Sequence, residues 1–247
     1  MTRRRWIADE FSGNQAALSG AHADHLIRVL RARVGQEFDI ANGAVVRRGR
    51  IVNIIDGQSE DGQGEEGRVE FELAEEVSTP SVPQVTLLLA VFKFDRMEWA
   101  IEKCTELGVS RIVPVIARRT DAHLASAAPK RSERWRRIAL QAAEQSRRAT
   151  PPEIATPIKL QHIVGLDGGA LRVVLAESEQ KSLLREVLAA HAAGEIVLAT
   201  GPEGGWADDE LQLFMQAGWI SASLGPTILR AETAVIAAVA ITVSALT

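Results

Sequence analysis

Residues 195–210 read EIVLATGPEGGWADDE, and this stretch decides the fold. A continuous apolar run ends in Gly201-Pro202-Glu203-Gly204-Gly205, and Asp208, Asp209 and Glu210 come next, where a helix should open. A strand that is apolar throughout, without alternation, is buried on both faces, which implies a parallel sheet covered by helices. One glycine suffices for a tight strand-to-helix turn. Three glycines around a proline allow positive φ and let the backbone approach a ligand closely. The helix start adds free N–H groups, with Asp208 read as its N-cap. The loop has no G-K-[ST], so it is not a Walker A loop, and no G-x-G-x-x-G follows the first apolar strand. The carboxylate of Glu203 inside the loop argues against polyphosphate and suits a neutral or cationic ligand held by backbone contacts.

The same pattern extends in both directions from this point. VTLLLAVF (85–92), RIVPVIA (111–117), LRVVLAE (171–177) and ISASLG (220–225) read as further strands. Helical stretches alternate with them: 95–108, PKRSERWRRIALQAAEQSRR (129–148), 182–192, 208–218 and 232–246. Alternation of this kind gives an α/β domain over 85–247. Ligands bind open parallel sheets at the carboxyl ends of the strands. Three strand ends carry unusual sequence: LAESEQ (175–180), ATGPEGG (199–205) and LGPTILRAET (224–233). They come from successive crossovers and can line one pocket. Arg230 and Glu232 sit where the last strand end meets an apolar helix, as a structural ion pair or as an arginine facing an anion. Met97, Ile101, Cys104 and Leu107 share one helix face, so Cys104 is read as core. In 129–148 the buried side is read as Ile138, Leu140, Ala142 and Ala143, leaving the arginines outward.

The N-terminal part has a different period. FDIANG (38–43) and VVRRGRIVNII (45–55) form a hairpin signal with Asn42-Gly43 at the turn, and RVEFELAEE (68–76) is another strand. One helix, AHADHLIRVLRARVG (21–35), interrupts them, with Leu26, Val29, Leu30 and Val34 at helical spacing and Gly35 ending it. Residues 1–76 thus read as a small β module, and the two prolines of 77–84 as a linker.

Composition limits the function classes. Of 247 residues, 46% are apolar and 24% charged, as in a soluble globular protein. A single cysteine forbids an intrachain disulfide and fits a reducing, cytoplasmic setting. The arginines at the N-terminus precede no apolar segment, so no signal peptide is read there, and Thr233 to Leu246 is too short to span a membrane. The histidines are scattered and no metal site is expected. The net charge of −4 is uneven: residues 1–50 hold nine basic and five acidic residues, and 111–150 hold ten and three. The acidic stretch 56–67 lies between these basic regions. Basic regions of this kind attract polyanions whatever the net charge.

GPEGG, LGPTILRAETA, EKCTELGV and RWRRIALQAAEQSRR, with HLIRVLRARVG near the N-terminus, closely resemble the RsmE-type ribosomal RNA methyltransferases of the SPOUT superfamily. The blocks occur in family order over nearly the whole chain. The resemblance implies an α/β SPOUT domain with a parallel sheet and a C-terminal trefoil knot, joined to a PUA-like RNA-binding β-barrel. It implies S-adenosyl-L-methionine as donor, N3 of a uridine in the 16S ribosomal RNA of the 30S subunit as acceptor, and a homodimer. By resemblance the donor lies against Ala176, Glu177, Thr200, Gly201, Pro202, Glu203, Gly204, Gly205, Leu224, Gly225, Ile228 and Leu229. Glu203 then faces a donor hydroxyl, amine or sulfonium. Arg230 would stabilise the uracil anion or grip a phosphate, and Glu232 would orient Arg230 or act as base. Arg3, Arg4, Arg5, Arg31, Arg147 and Arg148 are read as RNA-facing.

Overall fold

The computed structural model describes residues 5–43, 45–57, 66–78, 84–162, 170–191 and 194–246. Arg3, Arg4, most of the acidic stretch 56–67 and most of the linker 77–84 lie outside the described residues. The chain divides into two compact units: Met1–Pro80 with Ala143–Thr150, and Ser81–Ala142 with Pro151–Thr247.

In the first unit six strands form one sheet: β1 (Arg5–Ile7), β2 (Glu10–Ser12), β3 (Gln15–Ser19), β4 (Glu37–Asn42), β5 (Val45–Ile55) and β6 (Arg68–Glu76). Their order is β1-β4-β5-β6-β3-β2. Only β1–β4 is parallel; the other neighbours are antiparallel. The β4–β5 hairpin closes one residue later than read: Asn42 still pairs with Val45, and Gly43, at φ 60°, opens the turn. Trp6, Leu18, Leu26, Ile40, Ile51 and Phe71 fill the core. Gly49 belongs in that core for a steric reason: a Cβ there would sit 2.5 Å from Cγ1 of Ile40.

The helix expected over 21–35 is shorter and changes type. α1 (Gly20–Asp24) passes into a π-helical turn at His25–Val29. A π turn inserts residues relative to the 3.6 period and rotates everything after it. Leu26 is therefore buried as read, whereas Val29 and Val34 are 65% and 62% exposed.

The second unit holds a seven-stranded sheet. Its elements are β7 (Gln84–Ala90), α2 (Phe94–Leu107), β8 (Arg111–Ile116), α3 (Ala122–Gln145), β9 (Glu153–Ile154), β10 (Ile158–Lys159), β11 (Leu171–Leu175), α4 (Leu184–Ala190), β12 (Glu195–Thr200), α5 (Asp208–Gln216), β13 (Ile220–Ala222) and α6 (Ala231–Leu246). The order is β10-β8-β7-β12-β11-β13, with β9 also on β8, and every pairing is parallel. Successive side chains of a strand point to opposite faces. Val85, Leu87 and Leu89 accordingly pack with Met97, Ile101, Cys104, Val235 and Val239 on one face. Leu88 and Ala90 pack with Trp206, Phe214 and Trp219 on the other. Cys104 is core as read, and its burial pushes the thiol pKa up. Gly108 ends α2 in the left-handed conformation.

α3 differs from its reading. It starts at Ala122, so Pro129 lies inside the helix. Its buried side includes Trp135 and Ala139, both fully buried, while Ile138 and Leu140 are only partly covered. Among the described residues no helix is long and apolar enough to cross a membrane, and no cluster of three ligating side chains could hold a metal.

Candidate active site

β11 pairs with β12 on one side and β13 on the other, so the loops at their carboxyl ends emerge side by side. Backbone hydrogen bonds lock these loops together. Ala176 N–H donates to Ala222, Leu184 N–H to Ser223, and Ser223 N–H to Ser182. The indole N–H of Trp206 donates to the Leu175 carbonyl at 3.1 Å, tying the loop after β12 to the end of β11.

Between the loops lies a cavity of about 580 Å³. It is lined by Ala176 and Glu177, by Thr200, Gly201, Pro202, Glu203, Gly204 and Gly205, by Leu224, Gly225, Ile228 and Leu229, and by Arg230. Every residue expected around a donor is thus on one wall or another. Within the glycine loop, Gly205 N–H donates to Pro202 at 2.8 Å, closing a turn that needs φ 66° at Gly205. Gly225 sits at φ 128°. Both glycines present backbone, without a side chain, to the cavity.

The start of α5 corrects one expectation. Asp208 is the first helical residue and the N-cap position belongs to Ala207, which has no side chain able to cap. Glu210 does the capping: one carboxylate oxygen accepts the Ala207 N–H at 2.9 Å. The other accepts the Arg118 N–H at 2.8 Å. The Glu210 side chain is buried, so it satisfies two donors and pins the segment after β8 to the segment after β12. Arg118 also pairs with Asp209, and Arg119 donates to the Gly204 carbonyl at 2.7 Å. Arg119 grips the glycine loop directly, while Arg118 braces the start of α5 behind it.

Arg230 and Glu232 part company. Arg230 is exposed at the cavity, and its guanidinium makes no ion pair or hydrogen bond among the described residues. Glu232 is 6% exposed, and its ionic partner is Arg96, at 3.7 Å. Arg96, in the first turn of α2, and Arg119 are cavity residues that the sequence pattern did not single out. Applying the strand-end rule to β7 and β8 as well as to the last three strands would have found them.

Of the arginines read as RNA-facing, the described ones all lie in the first unit. Arg5 donates to the Arg147 carbonyl. Arg31 is exposed, and Arg148 is half-buried, its pKa lowered to about 10 by burial. Arg31 at φ 50° and Arg147 at φ 62° are the non-glycine residues in the left-handed region among the described residues.

Residues 79–243 match the model of the RNA methyltransferase domain family. The ribosomal RNA small subunit methyltransferase E of Aquifex aeolicus is 30% identical over 245 residues, covering 96% of this chain and 97% of that one. The chain belongs to the ribosomal RNA small subunit methyltransferase E family. Its Mycobacterium tuberculosis member is 36% identical over 230 residues, 90% of this chain and 84% of its own. The crystal structure of the Neisseria gonorrhoeae methyltransferase E, bound to S-adenosyl methionine, superposes with a TM-score of 0.81 at 29% identity. It covers 97% of this chain and 96% of its own.

Proposed function

We propose that this protein transfers a methyl group from S-adenosyl-L-methionine to N3 of a uridine in the 16S ribosomal RNA of the small subunit. The observation that carries this is one cavity built from the three strand-end loops, with an arginine at its edge whose guanidinium has no partner among the described residues. About 580 Å³ falls within the range of small-molecule sites. The left-handed Gly205 and Gly225 give a ligand backbone to bind, and Glu177 and Glu203 suit its cationic centres. These residues fit the donor, which when bound supplies an electrophilic methyl.

The chain's own residues then do three things. The loops fix the methyl's direction, so that much of the rate comes from alignment with the uracil nitrogen. The target base must leave its stack to reach the cavity. The N3 proton passes to water ahead of the methyl, so negative charge develops on the uracil ring, and the nitrogen's electron pair then takes the methyl as the sulfonium leaves as the neutral thioether. Arg230 is the cation placed to stabilise that charge. Glu232 acts as a positioning residue: paired with Arg96, it holds a second guanidinium at the wall.

The six-stranded first unit is read as a PUA-like barrel that binds RNA through Arg5, Arg31, Arg147 and Arg148, with recognition by backbone and shape. In the second unit β12 enters between β7 and β11, both laid down earlier in the chain, and α6 packs back on α2. That order supports a trefoil knot at the C-terminal end. A homodimer and a cytoplasmic location complete the reading. A monomeric mass by light scattering would remove the dimer.

Labelled S-adenosylmethionine incubated with 30S subunits from a strain lacking this modification tests the reaction. Digestion should yield labelled 3-methyluridine. Another methylated nucleoside would keep the donor and move the atom. Donor binding with no labelled nucleoside would leave a binding module without turnover.

A further inference from the structure

In the first unit a cluster of titratable groups lies outside the cavity. His22 Nδ1 faces both carboxylate oxygens of Asp9 at 3.1 Å, and its Nε2 faces Glu144 Oε1 at 3.4 Å. Asp9 Oδ2 also accepts the Ser19 N–H at 2.9 Å. The Trp6 ring lies between His22 and His25, with centroids 6.2 and 5.6 Å away. Arg68 between Glu10 and Glu70 and Arg28 between Asp24 and Asp56 also bridge carboxylates, but a guanidinium keeps its charge at neutral pH whereas an imidazole does not.

Glu144 belongs to the last turn of α3, and the backbone leaves that helix in an unusual way. Arg147 N–H donates to Glu144 at 3.2 Å and Arg148 N–H to Ala143 at 2.8 Å. That is the Schellman pattern, whose left-handed position is normally glycine. Here it is Arg147, at φ 62°. A non-glycine residue in this region persists only where its surroundings over-determine it, and such residues cluster at functional sites. Three tethers supply the constraint, one of them the Ile7 N–H, which donates to the Glu144 carboxylate. Arg5 grips the Arg147 carbonyl, and the Asp9–His22–Glu144 chain grips the turn's first residue.

We propose that His22 is a positioning residue for RNA binding: bridging Asp9 to Glu144, it holds the α3 terminal turn so that Arg147 and Arg148 face the substrate. This rests on the reading of those arginines as RNA-facing. Three carboxyl and imidazole groups then respond to pH together. The hydrogen bond that the ring donates to Asp9 raises the His22 pKa above the ordinary 6.5, with Glu144 and Asp9 adding charge attraction against burial. Asp9 is lowered, by its hydrogen bonds to His22 and Ser19 acting against burial. Burial raises Glu144, His22 pulls it back, and Asp9 repels it. Arg5, Arg147 and Arg148 are further described charges at the turn, and Asp39 faces Arg5. The imidazole sets the sign. Its contribution is full below the ordinary histidine value and is lost as pH rises through the higher folded value. Beyond that point two carboxylates face each other without a cation.

Binding of a 16S rRNA transcript to the full chain, measured from about pH 5.5 to about 8.5, tests this across the histidine range. Calorimetric S-adenosylmethionine affinity serves as the control. RNA affinity should weaken several-fold with rising pH while donor affinity stays flat. His22→Gln should bind RNA weakly with no pH response. His22→Lys, permanently cationic, should bind tightly with none. Arg147→Gly should raise the melting temperature and weaken RNA binding together, which a purely structural turn would not do. A His22→Gln profile matching the wild type overturns the proposal. So does wild-type RNA affinity in Arg147→Ala, which would also remove the RNA-facing reading. Weak RNA binding by Arg147→Ala with no effect of His22→Gln overturns the positioning role alone. If His22→Gln loses donor binding through misfolding, NMR titration of His22 in the wild type decides. A value at or below that of an ordinary histidine then sinks it.

Discussion

The two units use the left-handed backbone for opposite purposes. In the second unit every described residue there is a glycine: Gly108, Gly205, Gly218 and Gly225. In the first unit glycines share the region with Arg31 and Arg147. Glycine adopts positive φ at no steric cost and removes a side chain, so the chain itself becomes the binding surface. An arginine adopts it at a cost and keeps a long cation in place. Gly108 ends a helix, but on the proposed reading Gly205 and Gly225 bring backbone to a small ligand, and Arg31 and Arg147 aim side chains at a polyanion. The difference teaches that where a strained or permissive residue occurs matters less than what it leaves exposed.

The largest expected effect strikes Arg230, the cavity cation proposed to meet the developing charge. Arg230→Ala should lower kcat by about 10² to 10³ with donor affinity unchanged, the loss typical of one preorganised charge-stabilising donor. Steady-state kinetics with donor titration checks it. Unchanged turnover would mean that the cavity works by backbone alone, and the proposed role of Arg230 would fall. Next comes Glu210→Ala, which orphans two backbone donors, those of Arg118 and Ala207. Each unsatisfied buried donor costs about 1–3 kcal/mol, so urea unfolding should show a loss of about 2–6 kcal/mol. A loss under about 1 kcal/mol would show that water replaces the carboxylate and that the loop is not held from behind.

The same distinction governs how much of the molecule could be read from the chain. β12 and its glycine loop were legible because a continuous apolar run and a cluster of glycines are local signals. The cavity was legible because parallel strands deliver their carboxyl ends to one edge. Arg96 and Arg119 were not, because an arginine at a strand end looks like any surface arginine until its neighbour is known. Glu210 was overlooked for Asp208 because capping turns on the backbone register of a single residue among three adjacent acids. Trp135 was hidden by the basic run around it, although burial of one indole outweighs the charges beside it, which point to water. Val29 was misplaced because a π turn leaves no mark in a 3.6-residue period. The arginines at positive φ were invisible for the same reason: propensity assigns that conformation to glycine.

A smaller effect separates conformation from space at the cavity. Gly205→Ala introduces a Cβ that meets nothing within 4 Å, so only the positive φ opposes it. The penalty should be about 1–2 kcal/mol, read as a roughly ten-fold or greater loss of donor affinity if the turn relaxes away from the ligand. No loss would show that neither the positive φ nor the missing side chain at Gly205 matters for the donor.

The smallest effect runs the other way and tests the first unit. Arg31→Gly should relieve a left-handed side chain worth about 1–2 kcal/mol. The added freedom of glycine in the unfolded chain returns about 0.5–1 kcal/mol of that, so thermal unfolding should show a gain of at most about 1 kcal/mol. RNA affinity should fall in the same variant, because the cation is gone, and its salt dependence should become shallower by about one counterion. A stability gain with RNA binding intact would make Arg31 an accident of the π turn before it. A stability loss would mean that the arginine side chain packs well enough to outweigh its backbone, and the contrast between the units would then rest on Arg147 alone.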